Sequence, residues 1–189
     1  MANTKTRWIV LLACSLTMPF ALAEGFFVAF DYGQSNAKAA CNGIPTWMTG
    51  CTTKSSAYRL SGGYVFSSTW SAELGYSDYG SESAGKAPYA TSINWKASGL
   101  QLSVGAALPV GNVVTILGKV GAAYTTLELS GGASANSASY TPAYGLGAQL
   151  KFNEIFSMRA MYEDLGIIGN NNTGTTRLTL LSLGLVCHF

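Results

Sequence analysis

The stretch Arg177-Leu-Thr-Leu-Leu-Ser-Leu-Gly-Leu-Val-Cys-His-Phe189 decides the fold. In an extended chain it places Leu181, Leu183, Leu185, Cys187 and Phe189 on one face and Ser182, Gly184 and His188 on the other, the period-2 signature of a strand. The strand ends the chain on an aromatic residue. At the opposite end, Lys5 and Arg7 precede a mostly apolar run over residues 8–22, and Ala21-Leu22-Ala23 has the small-x-small pattern of a cleavage site. An exported chain whose last strand alternates and stops on an aromatic reads as a β-barrel of the bacterial outer membrane. The expected organisation is a signal peptide over 1–23 and a barrel domain over 24–189. A membrane-anchoring helix is the competing reading of the leader, but its apolar run is short for a span of ~20 residues. Leu11-Leu-Ala-Cys14 has a lipoprotein-like pattern, with too little apolar chain before Cys14.

Composition supports the barrel. Only 11% of the 189 residues are charged, with 48% hydrophobic and 22 glycines, whereas a soluble domain carries about 25% charged residues. Yet no segment beyond the leader reaches the 18 apolar residues of a membrane helix. A lipid-facing barrel satisfies both facts, because only every second strand residue meets lipid. Without Lys5 and Arg7, nine of the 11 Lys and Arg oppose nine Asp and Glu, so the mature chain is near neutral. No basic stripe marks a nucleic-acid partner.

Alternation recurs near 25–34, 57–67, 69–79, 96–108, 113–129, 142–152, 155–167 and 177–189. These eight segments predict an all-β, closed, antiparallel up-and-down transmembrane barrel. Tight turns at 67–69, 109–112 and 153–154 alternate with longer Gly-, Ser-, Asn- and Thr-rich stretches at 35–56, 80–95, 130–141 and 168–176, as periplasmic turns alternate with outer loops. No internal repeat beyond the hairpin is evident. One parity per strand clears lipid of nearly every mid-strand charge. Trp70, Leu74 and Tyr76 go out while Glu73 goes in; Val114, Ile116, Val120 and Tyr124 go out while Lys119 goes in; Tyr144, Leu146 and Leu150 go out while Gln149 goes in; Phe156, Met158 and Tyr162 go out while Arg159 and Glu163 go in. An Arg or Lys at the lipid midplane costs roughly 2–4 kcal/mol. Tyr64, Phe66, Trp70, Phe152, Phe156 and Phe189 lie near the short turns, and Tyr32, Tyr76, Tyr124, Tyr144 and Tyr162 toward the loops, forming two candidate aromatic girdles. The alternative, a soluble barrel, would bury its apolar face inside, where eight strands leave little room for these rings.

Gly99-Leu-Gln-Leu-Ser-Val-Gly-Ala-Ala-Leu-Pro, Arg159-Ala-Met-Tyr-Glu, Leu181-Ser-Leu-Gly-Leu-Val-Cys-His-Phe and Gly62-Gly63-Tyr64 followed by Ala72-Glu73-Leu74-Gly75-Tyr76 resemble strands of the transmembrane domain of the outer-membrane protein A family. The resemblance spans essentially the whole mature chain and implies an eight-stranded barrel without the peptidoglycan-binding domain that follows it in many relatives. It also implies a buried charge cluster linked to slow opening of a narrow pore, with Glu73 as the strand-three acid, Arg159 as the strand-seven base and Lys119 as a strand-five base. The chain departs from the family at Gly105, where a lysine is expected, and at Gln149, where a glutamate is expected. Those departures put a gate that swaps partners for Glu73 in doubt.

The lumen is expected to hold Asp31, Arg59, Glu73, Lys119, Arg159 and Glu163, with Gln101, Ser103 and Gln149 between them and Lys151 near the periplasmic rim. Buried charges must be paired, so the expected role is an ion-pair network that fills the barrel; a constriction for small solutes is the other reading. Cys41 and Cys51 flank a short segment of the first outer loop and are expected to form a disulfide in an oxidising compartment. The tip between them, with Ile44, Pro45, Trp47 and Met48, either binds a partner or packs on its neighbours. Cys187 is expected to face lipid. No metal, cofactor or catalytic residue is expected: His188 is the lone histidine, and the His-x-Ser arrangement of outer-membrane lipid A deacylases is missing. Lys38, Lys54, Lys86, Lys96 and Arg177 sit on the loop side, near lipopolysaccharide phosphates or simply in solvent. Phe189 is expected to be the C-terminal signal read by the barrel-assembly machinery. The functional expectation is a monomeric scaffold presenting surface loops, with or without a low-flux pore. An adhesin acting on host or surface ligands is the alternative, and a lipid A-modifying enzyme the third.

Overall fold

The computed structural model describes residues 25–37, 52–84, 93–130, 135–170 and 174–189. Eight strands run in order: β1 (Phe26–Ala37), β2 (Lys54–Val65), β3 (Trp70–Ala84), β4 (Ile93–Val110), β5 (Val114–Ser130), β6 (Ala135–Lys151), β7 (Phe156–Asn170) and β8 (Gly174–His188). Each pairs antiparallel with the next, and β1 pairs with β8, from Phe27↔His188 to Ala37↔Leu178, closing the barrel. Closure removes the free edges that lipid would not tolerate. The short connections are held by their own residues: Ser67 Oγ accepts from the Trp70 N–H at 3.0 Å, and Asn153 Oδ1 from the Ile155 and Phe156 N–H groups at 2.9 and 2.7 Å. Gly111 supplies the positive φ of 75° at the β4–β5 turn. The start of β1 meets the residue after β8 at one end of the barrel, where the Phe189 N–H donates to the Phe26 carbonyl at 2.9 Å.

The side-chain parity read from the sequence is the one the strands adopt. Leu74, Val120, Leu146, Tyr162, Leu181 and Leu183 are exposed on the outside, while Glu73, Lys119, Arg159 and Glu163 are buried inside. Cys187 differs: it occupies an outward position but is only 7% exposed.

The strands are longer at the outer end than the alternation suggests. β3 reaches Ala84, β4 starts at Ile93, β6 starts at Ala135 and β7 runs to Asn170. The embedded part of a tilted transmembrane strand needs about 9–11 residues, so strands of 15 to 18 residues project beyond the bilayer as a collar. There the polarity inverts. Ala37, Ala57, Tyr79, Ala97, Leu127, Leu165, Ile168, Leu178 and Leu180 point inward into one apolar cluster, while Lys54, Glu128, Asn136 and Arg177 are exposed outside. These segments read as loops because the sequence carries no lipid-facing apolar alternation where the outside is water.

Two bulges mark the change, at Asp78/Ser81 on β3 and Asp164/Ile167 on β7. Both are built from one pattern, Tyr76-Ser-Asp-Tyr-Gly80 and Tyr162-Glu-Asp-Leu-Gly166, a local repeat that the sequence reading passed over. Gly80 and Gly166 take φ of 79° and 74°, which L side chains adopt rarely, and their N–H groups donate to Asp78 at 2.8 Å and Asp164 at 3.0 Å. The β2–β3 ladder ends at Tyr58↔Asp78 and the β6–β7 ladder at Tyr144↔Asp164. Pro142, which lacks an N–H, lies just beyond the second ending. Hydroxyls take over across both seams: Ser55 Oγ donates to the Ser81 carbonyl at 3.0 Å and Thr141 Oγ1 to the Leu165 carbonyl at 2.6 Å. Above the bulges, the collar is therefore two four-stranded sheets, β3–β4–β5–β6 and β7–β8–β1–β2, facing each other across an apolar core.

Candidate functional site

The lumen is stacked in layers. In the middle, strand parity turns three cations and three carboxylates inward: Arg59, Lys119 and Arg159 against Asp31, Glu73 and Glu163, each 8% exposed or less. Arg159 holds Asp31 at 2.7 Å and Glu73 at 2.8 Å. Arg59 holds Glu163 at 2.6 Å and lies 2.9 Å from Glu73. Lys119 reaches Glu163 at 2.9 Å and Glu73 at 3.4 Å. Gln101 fills the remaining gap, accepting from Arg59 at 3.2 Å and donating to Glu163 at 3.1 Å. Glu73 thus faces all three cations at once.

Small residues opposite these side chains let them lie flat across the lumen. A Cβ at Gly75 would sit 2.6 Å from Arg59 Nε, and one at Gly145 would sit 2.8 Å from Lys119 Cγ. Burial of so many charges is sustained only by such pairing, since an ion left alone in a low dielectric costs several kcal/mol. Arg59 is the least satisfied member: its Nε has no hydrogen-bond partner among the described residues, and its Nη2 lies beside Glu73 without good hydrogen-bond alignment.

Ser103 and Gln149 are ladder partners of Glu73 and Arg159, but among the described residues they hydrogen-bond to none of the charged side-chain groups. Ser103 Oγ approaches only the Glu73 main-chain carbonyl, at 3.5 Å. Gln149 lies toward the short-turn end, 3.5 Å from His188 Nε2. Ser157 Oγ is 3.3 Å from that same nitrogen. Lys151 pairs with Glu154 at 2.7 Å on the rim. Cys41, Cys51, the tip residues Ile44 to Met48, Lys38, Lys86 and residues 1–23, expected to be a signal peptide, lie outside the described residues.

Above the charges, the inward side chains of the collar pack into an apolar cluster; Glu82, 7% exposed, lies beyond the β3 bulge. Below them a cavity of about 220 Å³ opens at the short-turn end. Its roof is Glu73, Lys119 and Arg159, its waist includes Phe27, Val65, Ala107 and Leu117, and its mouth is flanked by Gln149 and His188. Gly105, at the position where the family resemblance leads one to expect a lysine, lines this cavity and leaves it open.

On the outside, each bulge carboxylate is met by a cation. Lys96 lies 3.5 Å from Asp78, which also accepts from the Tyr58 hydroxyl at 3.1 Å. Arg177 pairs with Asp164 at 2.5 Å. The repeated Tyr-x-Asp-x-Gly pattern was the available signal for these two sites.

A closed antiparallel cylinder with leucines and aromatics outside and paired charges within is a membrane-spanning β-barrel. The chain belongs to the outer membrane protein beta-barrel domain family, which matches residues 9–189. It is accordingly a protein of the bacterial outer membrane. Among solved structures it is similar to Ail, the attachment invasion locus protein of Yersinia pestis, at 19% identity and a TM-score of 0.58, covering 88% of this chain and 99% of that one. It is also similar to Neisserial surface protein A, at 16% identity and a TM-score of 0.61, covering 87% and 97%. The N-terminal barrel domain of Pseudomonas aeruginosa OprF matches at 14% identity and a TM-score of 0.59, covering 87% and 98%. At these identities the likeness is one of fold. No curated protein matches the chain significantly.

Proposed function

We propose that the protein is a structural barrel of the outer membrane that carries four surface connections on a rigid collar and does not serve as a conduit. The observation that supports this reading is an ion-paired layer across the lumen beneath a packed apolar one. Eight strands leave an interior that side chains alone can fill, and opening it would break buried ion pairs and a packed core together. A low-flux pore is the weaker reading of the same geometry. Planar-bilayer recording tests the choice: the wild-type barrel gives no steady current, and a sustained ohmic conductance would overturn the proposal.

Surface recognition through the outer connections is the second reading. It is favoured by the collar, whose core places the ends of all four connections on a packed base. A disulfide between Cys41 and Cys51 would brace the longest connection. Ail, a fold relative, is known in complex with the heparin analogue sucrose octasulfate; for this chain a sulfated or other surface ligand is a proposal. Binding of a loop-shortened barrel to host cells or matrix tests it, and undiminished binding would defeat it. Phe189 as the assembly signal, lipopolysaccharide contacts by Lys54, Lys96 and Arg177, and a monomeric state belong to the same proposal. Lipid A modification draws little support: among the described residues no carboxylate hydrogen-bonds the second ring nitrogen of His188 in the Ser157–His188 pair.

A further inference from the structure

From the cavity at the short-turn end, we infer that the barrel binds a small carboxylate with an apolar body, taken up from the periplasmic side. The paired charges Glu73, Lys119 and Arg159 stand at its inner end. Its wall mixes apolar side chains, Phe27, Val65, Ala107 and Leu117 among them, with the hydroxyl residues Ser71 and Thr115; Gln149 and His188 lie toward the mouth and the charges at the inner end. An apolar cavity of about 150 Å³ takes a benzene, so about 220 Å³ has room for one ring, or a short alkyl chain, with a carboxylate.

The sign of the ligand follows from which charges reach the cavity. Lys119, Arg159 and Glu73 line it, whereas Asp31, Arg59 and Glu163 do not, so the roof presents two cations and one carboxylate. Arg159 is mostly committed: its Nε and Nη2 donate to Asp31 and Ser61 and one Nη1 proton to Glu73. Lys119 is less so. An ammonium has three protons, and its two carboxylate contacts, one of them at 3.4 Å, leave a donor for a carboxylate arriving from below. Gly105 and Gln149 contribute neither a side-chain charge nor, at Gly105, any side-chain bulk to the space. The site is thus a consequence of this chain's own residues at those two positions, and it stands independently of how the surface loops are used.

The two methionines of β7 supply the test. Met161 is buried inside the barrel beside Gly147, while Met158 occupies the outward, lipid-facing parity. Methyl-labelled barrel in lipid nanodiscs is titrated with benzoate and, separately, with benzylamine and benzyl alcohol. Benzoate produces a saturable shift of the Met161 methyl while Met158 stays still, and the amine and the alcohol bind weaker by roughly tenfold or more. Ala107→Phe, which fills the waist without touching the charge layer, removes the Met161 response. Absence of a saturable Met161 shift would overturn the inference, as would equal movement of both methyls (partition into lipid), benzylamine binding as well as benzoate, or an undiminished response in folded Ala107→Phe. The ligand series on the unmodified barrel decides the matter whether or not that variant folds.

Discussion

The embedded cylinder and the collar above it are made of the same eight strands with opposite polarity. In the cylinder, Leu74, Leu146 and Leu183 face out and Glu73, Arg159 and Glu163 face in; in the collar, Leu165, Leu178 and Leu180 face in while Lys54 and Arg177 face out. The backbone does not impose this choice, since a strand offers two faces with equal geometry. The surrounding medium does. Lipid tolerates an apolar exterior and forces charges to pair inside, while water rewards a buried apolar core. The switch falls at Asp78 and Asp164, where a bulge resets the alternation of one strand in each half of the barrel.

The largest test of the contrast is Arg159→Ala. It leaves Asp31 and Glu73 buried without their main cation, and breaking a buried pair costs about 3–5 kcal/mol, so urea unfolding in lipid vesicles shifts by that amount. Next comes a charge placed on the outside at two heights. Leu183→Arg, on the lipid face, destabilises by roughly 2–4 kcal/mol, whereas Ala138→Arg, on the collar exterior, stays within about 0.5 kcal/mol. Equal costs at the two positions would mean that the collar is embedded after all. Leu165→Ala, fully buried in the collar, costs about 2–3 kcal/mol as a cavity. Hydrogen exchange locates that loss: the outer ends of β7 and β8 lose protection while the Arg159 level keeps it. Asp164→Ala removes the tether on the Gly166 N–H and the Arg177 pair; at about 1 kcal/mol it is the mildest of the destabilising changes, above only the near-neutral Ala138→Arg, and is read as faster exchange at the β6–β7 seam.

The cylinder was legible in the sequence because lipid writes a strong code. The alternation around Leu74 and Leu183 fixed strand direction, parity and the inward set of charges without any knowledge of contacts. The collar was illegible for the same reason. Residues 135–141 carry Asn136, Ser137, Ser139 and Pro142 follows, a composition that loops and water-facing strands share, and only pairing with β5 from Leu129↔Ala135 onward makes them a strand. Within the lumen, membership of the charge cluster followed from parity alone. Depth did not: Gln149 shares the inward parity of Arg159, its ladder partner, yet its shorter side chain turns toward His188 at the mouth. The cavity was equally hidden, since it arises from the missing side chain at Gly105 and from how far neighbouring groups reach.

The contact between Phe189 and Phe26 leaves the start of β1 and the end of β8 side by side on one rim. A short linker joining them, with a new break cut at any of the outer connections, would yield a circular permutant with the same neighbours around the ring. Strand order along the polypeptide is then a matter of how the ring is threaded into place rather than of what keeps it shut.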